Sequence, residues 1–116
     1  MLIIDQNNGI TLTKGDSAVL ELAIETSEGE TYDYSNDLVE FGVKRSALDK
    51  TEPILKKTFE DGKITFTPED TEAIEGYGDF QYDVQVTHTE EVEGEEVETV
   101  YTVIAAARFT LGYNIL

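Results

Sequence analysis

Residues 80–106 run FQYDVQVTHTEEVEGEEVETVYTVIAA, and the reading of this stretch decides the fold. Its first part alternates: Phe80, Tyr82, Val84 and Val86 against Gln81, Asp83, Gln85 and Thr87. A period of two is the mark of a strand with one buried and one wet face. Its last part, Val100 to Ala107, is apolar but alternates less cleanly, and predicts a more buried strand. The alanines at 105–107 mark a tight spot or a bulge before "RFTL". Between the two parts lies "EEVEGEEVE", Glu90 to Glu98, with six glutamates in nine residues and no basic residue to balance them. The economical reading is one long hairpin. Its strands run on past the core edge, Glu93-Gly94 forms the turn, and Val92 and Val97 face each other across it.

The same alternation recurs along the chain. Ala18, Leu20, Leu22 and Ile24 form one set, Val39, Phe41 and Val43 another, and Ile64 with Phe66 a third. Turn signals separate them at "NNG" (7–9), "KGD" (14–16), "SEG" (27–29) and most sharply Asp61-Gly62, a two-residue hairpin joining "KKTFE" to "KITFT". About seven to eight short strands at this spacing predict an all-β antiparallel sandwich. One segment breaks the pattern. In "TPEDTEAIEG", Thr67 suits the N-cap and Pro68 the first helical position. Glu69 and Asp70 favour the positive end of the helix dipole, and Gly76 ends the turn. A short helical crossover near 68–75 is expected.

The chain has 116 residues and fits one domain, 1–116, long enough to bury one core without staples. It has no cysteine, which excludes disulfides and thiolate chemistry. Its start, "MLIIDQNNGI", resembles neither a signal peptide nor a membrane span. The net charge of −17 repels phosphate backbones and anionic lipid, so neither nucleic acid nor membrane is an expected partner. The charge is also uneven. Lys44, Arg45, Lys50, Lys56, Lys57 and Lys63 lie in one short span, and no basic residue occurs between Ile64 and Ala107.

Calcium needs six to eight oxygens converging on one point, whereas glutamates alternating along a hairpin point to both faces. Glu90, Glu91, Glu93, Glu95, Glu96 and Glu98 therefore predict a solvated loop or an acidic docking surface for a basic partner rather than a metal cage. "GDS" at 15–17 matches the nucleophile block of one esterase superfamily, but Ser17 opens a strand and the only histidine, His88, ends another. The "KGD" turn needs no reading beyond its glycine. His88 alone makes no metal site. Tyr32 and Tyr34 in "ETYDYS" are too few for a sugar platform. No catalytic residue, cofactor site or metal site is assigned, and the chain is not read as an enzyme.

Taken in order, "ITLTKGDSAVLELAIETSEGETYDYS", "VEFGVKR", "EPILKKTFEDGKITFTPEDTEAI" and "YGDFQYDVQV" resemble the small immunoglobulin-like N-terminal domain of phage baseplate upper proteins. These occur in phages and prophages of Gram-positive bacteria. The resemblance covers about residues 3 to 111 and rests on the order and spacing of the motifs. It implies an immunoglobulin-like β-sandwich acting as a structural part of a tail tip or baseplate. Such a part is made in the bacterial cytoplasm and held in the virion by contacts with other tail proteins, with self-association a further option. The family has no catalytic residues to carry over. "EDT" with tyrosines downstream also resembles the corner of antibody-type domains, which supports the sandwich class alone. The uneven charge suggests a contact in which Lys44, Arg45, Lys56 and Lys57 meet the acidic hairpin of a neighbouring copy. The alternative is a carbohydrate- or calcium-binding sandwich on a tail or cell-surface protein.

Overall fold

The computed structural model describes residues 2–4, 6–25, 28–46, 48 and 52–112. Lys50, Ser27 of the "SEG" turn and the four residues after Gly112 fall outside them. Eight strands and one helix follow in order: β1 (Leu2–Ile4), β2 (Ile10–Thr13), β3 (Ala18–Glu21), β4 (Leu38–Lys44), β5 (Leu55–Thr58), β6 (Lys63–Phe66), α1 (Pro68–Glu72), β7 (Gly78–Val92) and β8 (Glu95–Gly112). They make an all-β sandwich. A six-stranded sheet, β1-β2-β8-β7-β4-β5, faces a two-stranded sheet, β3-β6. With β3 and β6 opposite β4, β7 and β8, the strand order is that of immunoglobulin-like sandwiches.

Alternation seats the core as the sequence predicts. Val39, Phe41 and Val43 of β4, Phe80, Tyr82, Val84 and Val86 of β7, and Ile64 and Phe66 of β6 are buried. In the first set Leu20 is buried, while Ala18, Leu22 and Ile24 pack half-buried against the core. The sheets are joined by aromatic rings. Phe66 meets Phe41 edge-on at 5.4 Å and lies 6.4 Å from Phe109, while Tyr82 stacks on Phe41 at 5.1 Å. Such pairs add about 0.5–1.5 kcal/mol each beyond area burial. Tyr82 also donates its hydroxyl to the carbonyl of Asn8, stitching β7 to the chain entering β2.

Three expectations need correction. First, the sandwich is not wholly antiparallel, because β2 runs parallel to β8, Ile10 opposite Phe109. The direction of β2 is fixed by the turn at Lys14-Gly15, which feeds β3 of the facing sheet. Second, Asp61-Gly62 does form a tight turn, with φ of 52° and 76°, but it joins strands of different sheets. Glu60 and Lys63 exchange both backbone hydrogen bonds, after which β5 stays with β4 and β6 goes to β3. Third, the apolar run from Val100 is not a buried strand. Val100 is 57% and Tyr101 49% exposed, and only Val103, Ile104 and Ala107 are half-buried. The small sheet has strands of four residues, too short to cover this part of β8.

The crossover forms as the local sequence dictates, though it is shorter than expected, ending at Glu72 with Ala73 as C-cap and before Gly76. Thr67 and Asp70 make a reciprocal capping box, each side chain accepting from the other's backbone N–H. Lys57 of β5 pairs with the same Asp70 at 2.8 Å. Burial pulls the Asp70 carboxyl up, but the hydrogen bonds from Lys57 and Thr67 outweigh it and hold the group below its ordinary value. Thr71 is fully buried, and its Oγ1 accepts the Gly15 N–H at 2.8 Å. Lys14 Nζ donates to the Ile74 carbonyl at 2.9 Å. The "KGD" turn, with Gly15 at φ 90°, is thus locked onto the "PEDT" crossover.

Candidate interaction arm

β7 and β8 pair along their whole length, but the hairpin outruns the sandwich. Every residue from Thr89 to Thr102 is exposed. The molecule measures 56 × 31 × 22 Å with a radius of gyration of 15.4 Å. A compact domain of this length has about 13 Å. The excess is the arm.

Glu93 and Gly94 close the arm with φ of 53° and 82°, the positive pair that a two-residue turn of matching twist requires. The register opposes Val92 to Glu95, Glu90 to Val97, and Glu91 to Glu96. Val92 and Val97 are therefore diagonal neighbours on one face rather than a facing pair. That face continues the core side of the sheet and carries His88, Glu90, Val92, Glu95, Val97 and Tyr101. The other face carries Glu91, Glu96, Glu98 and Val100. The glutamates thus divide between two faces. Among the described residues no group of three or more histidine, aspartate or glutamate side chains is placed to hold a metal ion.

Two irregularities lie at the arm's base, where Tyr82 opposes Ala107, Val84 opposes Ile104 and Gln85 opposes Thr102. β8 therefore carries two more residues than β7 across this step. Ala106 takes a φ of 39°, unusual for a residue with a side chain. The expected alanine bulge is present.

His88 sits where the arm leaves the body. Its Nδ1 lies 2.6 Å from Asp37 Oδ1 and its Nε2 3.1 Å from Glu90 Oε1. Tyr32 donates its hydroxyl to the other Asp37 oxygen at 2.7 Å. The hydrogen bond to Asp37, then that to Glu90, raises the His88 pKa above its ordinary value, and the ring bridges body and arm. The Asp37 side chain is only 3% exposed. Burial pulls its carboxyl up, but hydrogen bonds from His88 and Tyr32 prevail and hold it down. The Asp37 hydrogen bond, aided by burial, pushes the Tyr32 hydroxyl up to about 12. Sequence reading missed this cluster, because Asp37 and His88 are 51 residues apart. Tyr32 and Tyr34 are half-buried rather than displayed, Tyr34 donating to the Leu22 carbonyl.

Among the described basic residues, Lys44 and Lys56 line one hollow, and Lys56, Lys57 and Lys63 line another. Lys44 and Arg45 lie at the end of β4 remote from the arm, since Leu38 at the other end pairs with Thr87. Arg45 donates to the Glu75 carbonyl at 3.1 Å and stacks over Phe80 at 5.6 Å. Lys56 pairs with Glu40 at 3.0 Å on the outer face of the large sheet, and Lys57 faces the other way to Asp70. Ser17 is exposed at the entry to β3, while both ring nitrogens of His88 face carboxylates.

The chain matches no protein-family model, and no curated protein or solved structure matches it significantly. Fold and arm define its class: an all-β sandwich of immunoglobulin-like strand order with a protruding acidic hairpin.

Proposed function

We propose that this domain is a non-enzymatic assembly module whose β7–β8 arm makes its protein contacts, and that it serves as a structural part of a phage or prophage tail tip or baseplate. The observation that carries the contact role is the arm itself. Fourteen residues, Thr89 to Thr102, fixed in a regular hairpin outside the core contribute little to folding, and a hairpin of this length is marginal without a partner (about three strands with an apolar face are needed for independent stability). The virion assignment rests on the resemblance of the ordered motifs. The lock between "KGD" and "PEDT" is consistent with it, because two of those motifs form one structural unit. Of the two contact modes, docking to another tail protein is favoured over ring closure through the basic residues. Arg45, Lys56 and Lys57 already have acceptors within the chain.

The test compares the intact chain with one in which residues 90–97 are replaced by Asn-Gly. Thr89 and Glu98 are directly opposed, so a two-residue turn fits between them. Particles purified from the native host and analysed by mass spectrometry should contain the intact chain and lack the shortened one. Absence of the intact chain from particles would refute the virion reading. Equal incorporation of both would refute the role of the arm. Native mass spectrometry at two salt levels then separates the contact modes. A salt-sensitive oligomer of the pure intact chain would restore ring closure, whereas a monomer throughout places the contact on another protein.

A further inference from the structure

We propose that the outer edge of β8 between Glu95 and Ile104 receives an extended segment of another protein as an added strand, and that this segment carries Lys or Arg toward the tip of the arm and apolar residues toward its base. The inference rests on the arm being the contact element and names how, and with what chemistry, it makes contact.

The topology supplies the edge. On one side β8 pairs with β7 throughout, but on the other β2 covers only Phe109 to Gly112. Asn7 and Gly9, leading into β2, line a cavity with Ala105 to Arg108. Above that point no described residue pairs with β8 on its outer side. A strand edge of this kind presents a row of unpaired N–H and C=O groups, which is a template for another strand. Sheet proteins blunt such edges with charged side chains (lysine above all), proline, bulges or shortness. Between Glu95 and Ile104 there is no lysine and no proline, the step at Val103 and the alanine bulge lie at the base, and the charges are Glu95, Glu96 and Glu98, which repel an acidic or like strand but not a basic one.

The side chains beside the edge select the occupant. Glu91 and Glu96 are directly opposed, an arrangement that like charges disfavour and that a neighbouring cation relieves. Glu96 and Glu98 share the outer face along the edge itself, and no basic residue lies on the arm. On the opposite face Val97 and Tyr101 are exposed. An incoming strand thus meets Glu96 and Glu98, then Val100, on one face and Glu95, then Val97 and Tyr101, on the other, so that on each face carboxylates lie toward the tip and apolar groups toward the base. A second copy of the arm fits badly, because edge-to-edge pairing would set its six glutamates against those already there.

The experiment titrates the intact chain at low salt with a nine-residue peptide carrying Lys in one half and Val in the other. It then repeats the titration with the same peptide N-methylated at every second residue, which keeps the charge and removes the donors on one edge. Amide NMR and hydrogen exchange should show shifts and protection across residues 95–104 and little change at 109–112. N-methylation should weaken binding by at least about tenfold, as the loss of several backbone hydrogen bonds requires. Equal binding of both peptides would overturn strand addition in favour of charge attraction alone. No binding at low salt would overturn it outright, and so would protection of the edge by a second copy without peptide. Exclusion of the shortened chain from particles, combined with no peptide binding, would leave the arm's role standing and remove only the strand-addition mode.

Discussion

Replacing Thr71 by Val tests the joint between the helical crossover and the β2–β3 turn. The change keeps shape but removes the acceptor of the Gly15 N–H, a 2.8 Å bond at a side chain with no exposure. A hydrogen bond of this kind is worth about 0.5–1.5 kcal/mol, and a buried N–H left without a partner costs about 1–3 kcal/mol. Exchanging a hydroxyl for a methyl group returns roughly 0.8 kcal/mol of apolar burial. The hydroxyl's own donation to the Pro68 carbonyl is long, 3.3 Å, and adds little. The net expectation is a loss of about 1–2 kcal/mol. Unfolding entropy of about 2.1 cal/mol/K per residue, over 116 residues, converts this to a drop in Tm of roughly 4–8 °C. Differential scanning calorimetry measures the drop, and hydrogen exchange at the Gly15 amide locates it. A Thr71→Val chain with unchanged Tm and unchanged Gly15 protection would refute the joint.

Three further outcomes follow from the same geometry. Lys57→Ala should cost about 1–2 kcal/mol, because it leaves a largely buried carboxylate with only its capping-box bonds (Lys57 is 24% and Asp70 19% exposed). Lys56→Ala, at a pair whose lysine is 56% exposed, should cost less than about 0.5 kcal/mol in urea titrations. The raised His88 pKa makes its contribution fully present below about pH 6.5, the unfolded value, and lost as pH climbs through the folded value. Tm of the native chain should therefore fall, relative to His88→Gln, as pH rises from below about 6.5 through the raised folded value; parallel curves for the two proteins would contradict this. The chain shortened at residues 90–97 should melt within about 3 °C of the intact one, since none of the removed residues is buried.

Where period two holds, sequence and structure agree, because burial of one strand face is a local property. Val39, Phe41, Val43, Phe80, Tyr82, Val84 and Val86 could be placed inside from alternation alone. The cap at Thr67 and the Glu93-Gly94 turn were equally legible, each resting on neighbours within four residues. What escaped is long-range. An apolar run such as Val100 to Ile104 predicts burial only if something covers it, and cover depends on the length of β3 and β6. The sequence likewise shows Asp61-Gly62 as a turn but not that its strands part to different sheets. The acidic arm was visible as composition, whereas its clamp required Asp37 to meet His88 across the fold. Proximity in sequence did not show that the pleat turns Lys56 and Lys57 to different acceptors, Glu40 and Asp70.

The two extra residues of β8 at the arm's base have an evolutionary consequence. Below them the register is held by Phe80 against Phe109, and above them by the turn at Glu93-Gly94. The two registers are set independently and reconciled at the bulges. Descendants of this chain can therefore lengthen, shorten or recharge the arm by residue pairs while the sandwich keeps its core unchanged. The length and charge of the arm become traits that vary without refolding the body that carries them.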